Sequence, residues 1–165
     1  MLPDFIIGGT IKGGSTTLLQ VLNQSPEINC LTRHPKYGNE LGFFSKKNRF
    51  KKGLKWYESF FIDLDPESLT GEKTAAYLSC PEAPQRIHNM IPGVKLIFVL
   101  RDPVKRAYSH YNYNVRKGIE FLSFEKAIKK EEKRIKKGIF FKRNYGYLYT
   151  SSYYDHILRY LQYFD

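Results

Sequence analysis

Pro3-Asp4-Phe5-Ile6-Ile7-Gly8-Gly9-Thr10-Ile11-Lys12-Gly13-Gly14-Ser15-Thr16-Thr17-Leu18-Leu19 runs from an apolar stretch through a glycine-rich turn into hydroxyl-bearing residues. The first part reads as a buried strand, Phe5–Gly9, and the last as the opening of a helix, Ser15–Asn23, stopped near Ser25-Pro26. Such a joint builds an anion site: glycines let backbone N–H groups approach a phosphate, and the helix N-terminus adds favourable partial charge. Gly9 to Gly14 has the frame of the G-x-x-x-x-G-K-[ST] loop, but Ser15 stands where the lysine belongs, and the lysine sits earlier, at Lys12. The spacing therefore predicts a phosphate-binding loop that is not built around the γ-phosphate of ATP.

Outward from this joint the chain alternates strand and helix signals, which predicts an α/β fold with a parallel sheet. Lys95–Leu100 is the second clear buried strand, and Ile28–Leu31 and Leu69–Glu72 read as shorter ones. Helical spacing covers Leu54–Phe61, Glu82–Met90, Pro103–Lys117, Ser123–Lys137 and a Tyr-rich Ser151–Phe164, while polar Thr32–Asn39 reads as a loop. The run Lys129-Lys130-Glu131-Glu132-Lys133-Arg134 reads as a solvated helix face laced by i,i+4 pairs.

Composition bounds the function. A chain of 165 residues with 42% hydrophobic content, 13 Tyr and 12 Phe has the material for one folded domain. The net charge of +11 implies an anionic partner: nucleic acid, acidic polysaccharide, nucleotide or membrane surface. Cys30 and Cys80 make neither a disulfide framework nor a metal-ligand spacing and read as reduced thiols. No apolar run approaches the ~20 residues of a membrane span. Asp4 interrupts the place where a secretory h-region would begin, so with Met1 as the native start the expected location is cytoplasmic.

A second constellation sits at the end of Leu96–Leu100, where Arg101-Asp102-Pro103 leads into Val104-Lys105-Arg106-Ala107-Tyr108-Ser109-His110-Tyr111. Ligands of open α/β sheets lie beyond the carboxyl ends of strands. Arg101 stands at such an end and Ser109 two turns into the next helix, so the pair is suited to a second phosphate. A structural turn with a local Arg101–Asp102 ion pair, and a magnesium-holding Asp102, are the competing readings.

Taken in order, these segments resemble the sulfotransferases that use 3′-phosphoadenosine 5′-phosphosulfate (PAPS), above all the heparan-sulfate amine and 3-hydroxyl sulfotransferases and their bacterial relatives. The likeness rests on Phe5-Ile6-Ile7-Gly8, Lys12-Gly13-Gly14-Ser15-Thr16-Thr17-Leu18, Asn39-Glu40-Leu41-Gly42-Phe43-Phe44 and Trp56-Tyr57. It continues through Gly71-Glu72-Lys73-Thr74-Ala75-Ala76-Tyr77-Leu78, Leu100-Arg101-Asp102-Pro103 with Arg106-Ala107-Tyr108-Ser109, and Gly146-Tyr147-Leu148-Tyr149 with Leu158-Arg159-Tyr160-Leu161. The resemblance implies a P-loop, kinase-like parallel sheet with helices on both faces. It implies that Lys12, Gly13, Gly14, Ser15, Thr16 and Thr17 bind the 5′-phosphosulfate and that Arg101 and Ser109 bind the 3′-phosphate. It also implies Glu40 as general base and Lys73 as an active-site lysine, with 3′-phosphoadenosine 5′-phosphate as product. The acceptor implied is a carbohydrate or small molecule rather than nucleic acid.

The chemistry of these residue types agrees with that family. Sulfuryl transfer asks one carboxylate to take the acceptor's proton. A lysine such as Lys12, aimed at the leaving oxygen, gains most in the transition state. The transferred group bears less charge than a γ-phosphate, so no metal is required. Asn39 and Gly42 stand where the heparan-sulfate enzymes carry a basic residue and a His, and His34 is the nearest alternative base. His88, His110 and His156 read as structural, and Glu72, Tyr77 and Trp56 as core or supporting residues. The family domain continues past the Tyr-rich helix, so the sequence reads as lacking the C-terminal part. That predicts an uncovered row at Tyr153, Ile157, Tyr160, Leu161 and Phe164, and self-association as one way to cover it. A P-loop nucleotide kinase using ATP and magnesium, and a non-enzymatic polyanion-binding module, are the alternative functions.

Overall fold

β1 (Phe5–Gly9) is apolar along its whole length and buried on both faces, which makes it an interior strand of a parallel sheet. A computed structural model of the chain describes residues 1–31 and 34–165. Around β1 stand β2 (Ile28–Cys30), β3 (Leu69–Lys73) and β4 (Lys95–Phe98). The helices are α1 (Ser15–Leu22), α2 (Lys47–Phe50), α3 (Leu54–Glu58), α4 (Ala83–Met90), α5 (Pro103–Arg116), α6 (Phe124–Ile135), α7 (Ile139–Tyr145) and α8 (Tyr153–Tyr160), with a 3-10 turn at Tyr149–Ser151. The described strands are all parallel, in the order β2-β3-β1-β4. Among the described residues no helix is long and apolar enough to cross a membrane.

The period-two alternation of β1 divides the core. Phe5 and Ile7 pack with Leu19 and Cys30 on the α1 side. Ile6 faces the larger cluster of Leu41, Phe43, Phe44, Tyr57, Tyr77, Ile87 and Tyr160. Helices therefore cover both faces. The chain moves to one side of β1 for β2 and β3 and to the other for β4, so the carboxyl end of β1 lies where the strand order reverses and a ligand crevice opens.

Most boundaries fall within a few residues of the sequence reading. Pairing continues past β4, with Val99 N–H donating to Gly9 (2.9 Å) and Thr10 N–H to Val99 (2.8 Å), which is why Val99–Leu100 reads as strand. Asp102 caps α5 by accepting from Lys105 N–H at 2.8 Å, and Pro103 fills the first helical position. Thr32 and Arg33 of the expected loop lie outside the described residues.

Two readings are corrected and two helices are added. Glu131 is not on a solvated face: it is buried and accepts the Leu148 and Tyr149 N–H groups at 2.8 and 2.7 Å, holding the 3-10 turn. The outward pairing is confined to Glu132–Lys136. The expected helix Ser151–Phe164 is instead the 3-10 turn followed by α8, and its apolar row is covered. Tyr160 belongs to the main core, Tyr153, Ile157 and Phe164 pack against it, and only Leu161 of the five is exposed. The short helices α2 and α7 went unread, because runs of four and seven residues carry too little periodicity.

Two buried polar residues hold the site's framework. Arg106 is fully buried. It donates to Ser151 Oγ (2.7 Å), to the Ile11 carbonyl (3.3 Å) and to the Tyr147 carbonyl, joining α5, the glycine-rich loop and the 3-10 turn. Glu72, also buried, accepts from Tyr57 Oη (3.0 Å), Tyr77 Oη (2.7 Å) and Thr74 Oγ1 (2.9 Å). Thr74 Oγ1 in turn accepts from Gly42 N–H (3.1 Å) and Tyr77 Oη from Phe44 N–H (3.4 Å), so Glu72 anchors the loop that presents Glu40.

Arg106→Met takes its donors from the Ile11 carbonyl and from Ser151 Oγ and leaves the Tyr147 carbonyl with the Ser151 hydroxyl alone, and is expected to cost about 3 kcal/mol in urea unfolding. A loss under about 1 kcal/mol would mean that the guanidinium's desolvation cancels its bonds. Burial pushes the Glu72 carboxyl up to about 7 against the pull of three hydroxyl donors. Folding therefore favours the protonated acid, and this contribution is lost as pH rises from the ordinary carboxylate range through 7. Between pH 4.5 and 8, stability should fall more steeply in the wild type than in Glu72→Gln, by on the order of 3 kcal/mol. Parallel pH curves from thermal unfolding of the two proteins would refute it.

Candidate active site

The glycine-rich loop is shaped by close backbone approach. A Cβ on Gly13 would sit 2.5 Å from the Val99 carbonyl oxygen, and Gly14 caps α1 at φ 112°, in the left-handed region. Lys12 also has positive φ, 66°, which is uncommon for a side-chain-bearing residue. Ser15 is buried at the first turn of α1, with Thr16 and Thr17 exposed beside it. Together the loop and the N-terminus of an eight-residue helix point donors at one spot.

That spot opens onto a cavity of about 480 Å³. Its walls hold Lys12, Gly14, Ser15, Thr16, Thr17, Glu40, Arg101 and Ser109. These are all but two of the residues singled out in the sequence, drawn from four separate segments. Gly13 lies behind the wall against Val99, and Lys73 is buried with its Nζ 3.1 Å from Glu40 Oε1 and 3.3 Å from Thr16 Oγ1. Glu40 Oε1 also accepts from Ala75 N–H (3.3 Å), and Arg143 stands 3.6 Å from Oε2. The Glu40 loop is gripped from behind by Arg49, which donates to the Glu40 carbonyl (3.2 Å) and to the Leu41 carbonyl. Lys12 lies 5.0 Å over the ring of Tyr113. Asp102, committed to its helix cap, is absent from the cavity wall, and so is His34, whose Nδ1 accepts from Lys36 N–H.

Several wall residues went unread. His110, Tyr113 and Asn114 follow Ser109 along the same side of α5, and the i, i+4 spacing from Ser109 to Tyr113 was signal enough to find the second. Arg143 and Asn144 arrive on α7, a long-range placement that only a basic pair ahead of Gly146 marks in the sequence. His110, read as structural, is a buried wall residue. Burial first, then the charges of Arg106, Lys12 and Arg143, hold its imidazole down to about 3, so it is neutral. Among the described residues its Nδ1 has no hydrogen-bond partner, and its ring meets Tyr147 edge-on at 5.1 Å.

Gly42, standing where a His was expected by resemblance, has φ 58°. Side chains adopt this conformation uncommonly and glycine adopts it without strain. Arg143 occupies part of the space beside Glu40 instead. Chemically, the site offers an anion cradle of backbone and hydroxyl donors, two cations beyond it at Lys12 and Arg101, and one carboxylate held between Lys73 and Arg143.

Comparison with known proteins agrees with this geometry. The sulfotransferase domain family matches residues 2–165. The chain is 33% identical over 168 residues to mouse heparan sulfate glucosamine 3-O-sulfotransferase 5, covering 99% of this chain and 45% of that protein. It is 41% identical over 128 residues to mouse heparan sulfate glucosamine 3-O-sulfotransferase 3B1, covering 75% of this chain and 30% of that one. The chain thus spans less than half the length of these curated relatives. Among solved structures, a sulfotransferase from Alicyclobacillus acidocaldarius superposes with a TM-score of 0.85 at 29% identity, covering 99% of this chain and 70% of that one. With its fold, its anion cradle and its match over nearly every residue, the chain belongs to the sulfotransferase family.

Proposed function

We propose that this domain moves a sulfuryl group from PAPS to a hydroxyl or amine of a carbohydrate or other small acceptor. The observation that carries this reading is the convergence of the loop Lys12–Thr17, Arg101, Ser109 and Glu40 on one cavity. The donor set fits a nucleotide with two separated anionic ends: backbone N–H groups and hydroxyls at one side, a guanidinium and a hydroxyl at the other. The relatives named for heparan sulfate glucosamine support a sugar hydroxyl as one acceptor.

PAPS supplies an activated sulfur–oxygen bond whose cleavage gives a stable bisphosphate. The loop N–H groups with Ser15, Thr16 and Thr17 orient the phosphosulfate end, and Arg101 with Ser109 fix the 3′-phosphate. Glu40 has Oε1 tied to Lys73 and the Ala75 N–H, which leaves Oε2 to take the acceptor's proton. Lys12 balances charge building on the leaving oxygen, and Lys73 orients Glu40 and Thr16 beside the reacting group. With Lys12, Lys73 and Arg143 close by, the reading asks for no metal. A kinase reading is weakened by Ser15 in the lysine position and by Asp102 acting as a helix cap.

Titration calorimetry is expected to show tighter binding of 3′-phosphoadenosine 5′-phosphate than of 5′-AMP or ATP with magnesium. Arg101→Ala should erase most of that preference, because a charge-assisted hydrogen bond contributes ~1.5–3 kcal/mol. Equal affinity of the wild type for the bisphosphate and for 5′-AMP would refute the assignment. Glu40→Gln should keep nucleotide affinity and lower turnover by ~10²–10⁴. Near-normal turnover in that variant would move the proton acceptor elsewhere.

A further inference from the structure

The charges of α6 are sorted by the helix. At about 3.6 residues per turn, Lys126, Lys130, Lys133 and Lys137 recur at i, i+4, i+7 and i+11 and form one exposed stripe. Lys137 lies just past the helix end, where its N–H donates to the Arg134 carbonyl at 3.1 Å and continues the turn. The exposed acids of α6, Glu125 and Glu132, fall on the other flank, and Glu132 is taken up by Lys136 at 2.6 Å. Among the described residues no carboxylate pairs with the four lysines of the stripe.

An apolar element stands beside this stripe. Leu122 lines a shallow cavity of about 350 Å³ together with Lys130, Lys133, Arg134 and Lys137. Next to it, Phe121 is 85% exposed, more than any other large apolar side chain among the described residues. Its backbone is not a loose tip. The buried Glu120 carboxylate accepts from the Phe121 and Leu122 N–H groups, both at 3.1 Å, and is itself gripped by Arg134 at both oxygens and by Tyr147 Oη at 3.1 Å. Tyr111 Oη donates to the Leu122 carbonyl at 2.9 Å. The ring is thus presented outward on a fixed turn, and with Leu122 and the lysine stems it makes one apolar surface edged by ammonium groups.

We propose that this face docks the domain on an anionic phospholipid bilayer, with the four ammonium groups at the level of the headgroup phosphates and the Phe121 ring beneath them. The charge complementarity is to a plane of anions, which a row of cations along one straight helix meets all at once. Lysine, a compact point charge on a flexible stem, suits such diffuse charge, whereas a discrete phosphate pocket favours the fork of arginine. The arginine beside the stripe, Arg134, is committed to Glu120. A hydrated acidic polymer would engage the same lysines but leave Phe121 in water; a bilayer takes both. Attachment is peripheral and reversible, because a basic stripe and one inserted ring are two modest signals that act together. The proposal stands apart from the sulfotransferase reading, since the nucleotide cavity and this surface share no residue.

The test is co-sedimentation of the full chain with phosphatidylcholine vesicles that contain or lack about 30% phosphatidylserine. Partition to the anionic vesicles is expected to be at least about tenfold stronger, and to weaken at least about tenfold as NaCl rises from about 50 to about 300 mM. Lys130→Glu with Lys133→Glu should weaken it at least about twentyfold, at about fivefold per lysine lost. Lys51→Glu with Lys55→Glu, the same change in net charge at exposed positions outside α6, should weaken it less than about threefold. Phe121→Ser should lower partition about fivefold with an unchanged thermal midpoint, and the indole introduced by Phe121→Trp should be quenched by lipids brominated on their acyl chains. Equal partition to the two vesicle types would overturn the proposal, as would equal effects of the two charge reversals. So would wild-type partition by Phe121→Ser, or an indole that brominated lipid leaves unquenched. Retention on heparin that Lys130→Glu with Lys133→Glu abolishes, without any vesicle binding, would make the stripe a polyanion site and overturn the lipid assignment.

Discussion

A single buried guanidinium ties the two halves of this domain together. Arg106 reaches the Ile11 carbonyl in the glycine-rich loop, the Tyr147 carbonyl and Ser151 beyond α7, and it does so from α5, the helix that follows Arg101. A guanidinium removed from water costs several kcal/mol unless its N–H groups all find acceptors, and here its acceptors come from three segments that are remote in sequence. The bond to Ile11 fixes the loop's back edge against α5, and with it the distance from the cradle at Gly13–Thr17 to Arg101 and Ser109. The brace matters to that spacing because the loop and the helix are not joined by the sheet's own hydrogen bonds.

Two carboxylates divide the remaining work. Glu72 and Glu40 lie on either side of the Lys73 backbone's reach, but their surroundings differ. Glu72 is sealed in a core of Tyr57, Tyr77 and Thr74 hydroxyls, where burial raises its carboxyl to about 7 and every partner donates to it. Two of those hydroxyls, of Thr74 and Tyr77, accept from the Gly42 and Phe44 N–H groups, so the buried acid sets the path of the loop that carries the other one. Glu40 faces the cavity between two cations. One acid builds the scaffold, and the second faces the open cavity.

The fold's first half was legible because its signals are local. An apolar run, a glycine turn and hydroxyls at a helix start specify β1, the loop and α1 with little help from the rest of the chain, and Asp102-Pro103 marks the start of α5 by cap and ring alone. Glu40, singled out by the resemblance, lines the cavity. What the sequence hid is tertiary. Glu131 sits among charged neighbours and reads as surface until the Leu148 and Tyr149 N–H groups are brought to it. α8 has the apolar row of an uncovered helix, yet the core formed by the Phe43, Tyr57 and Tyr77 rings extends far enough to receive Tyr160 and Phe164. Arg143 falls in a seven-residue helix whose own spacing says nothing of Glu40.

The glycine at position 42 shows how a local backbone choice redirects a site. With φ at 58°, Gly42 turns the chain so that its N–H meets Thr74 Oγ1, and the direction a side chain would take is filled by Lys46 and Ser45 at 3.4 Å and Arg49 at 3.5 Å. A His there would take an uncommon backbone conformation and set its ring against those side chains. Without it, the flank of Glu40 is open to a group from elsewhere, and the chain supplies Arg143 from across the cavity. Arginine keeps its charge at any working pH, whereas the buried His110 imidazole, held down to about 3 by burial first and then by the charges of Arg106, Lys12 and Arg143, is neutral. Arg143 is thus a permanent cation beside Glu40.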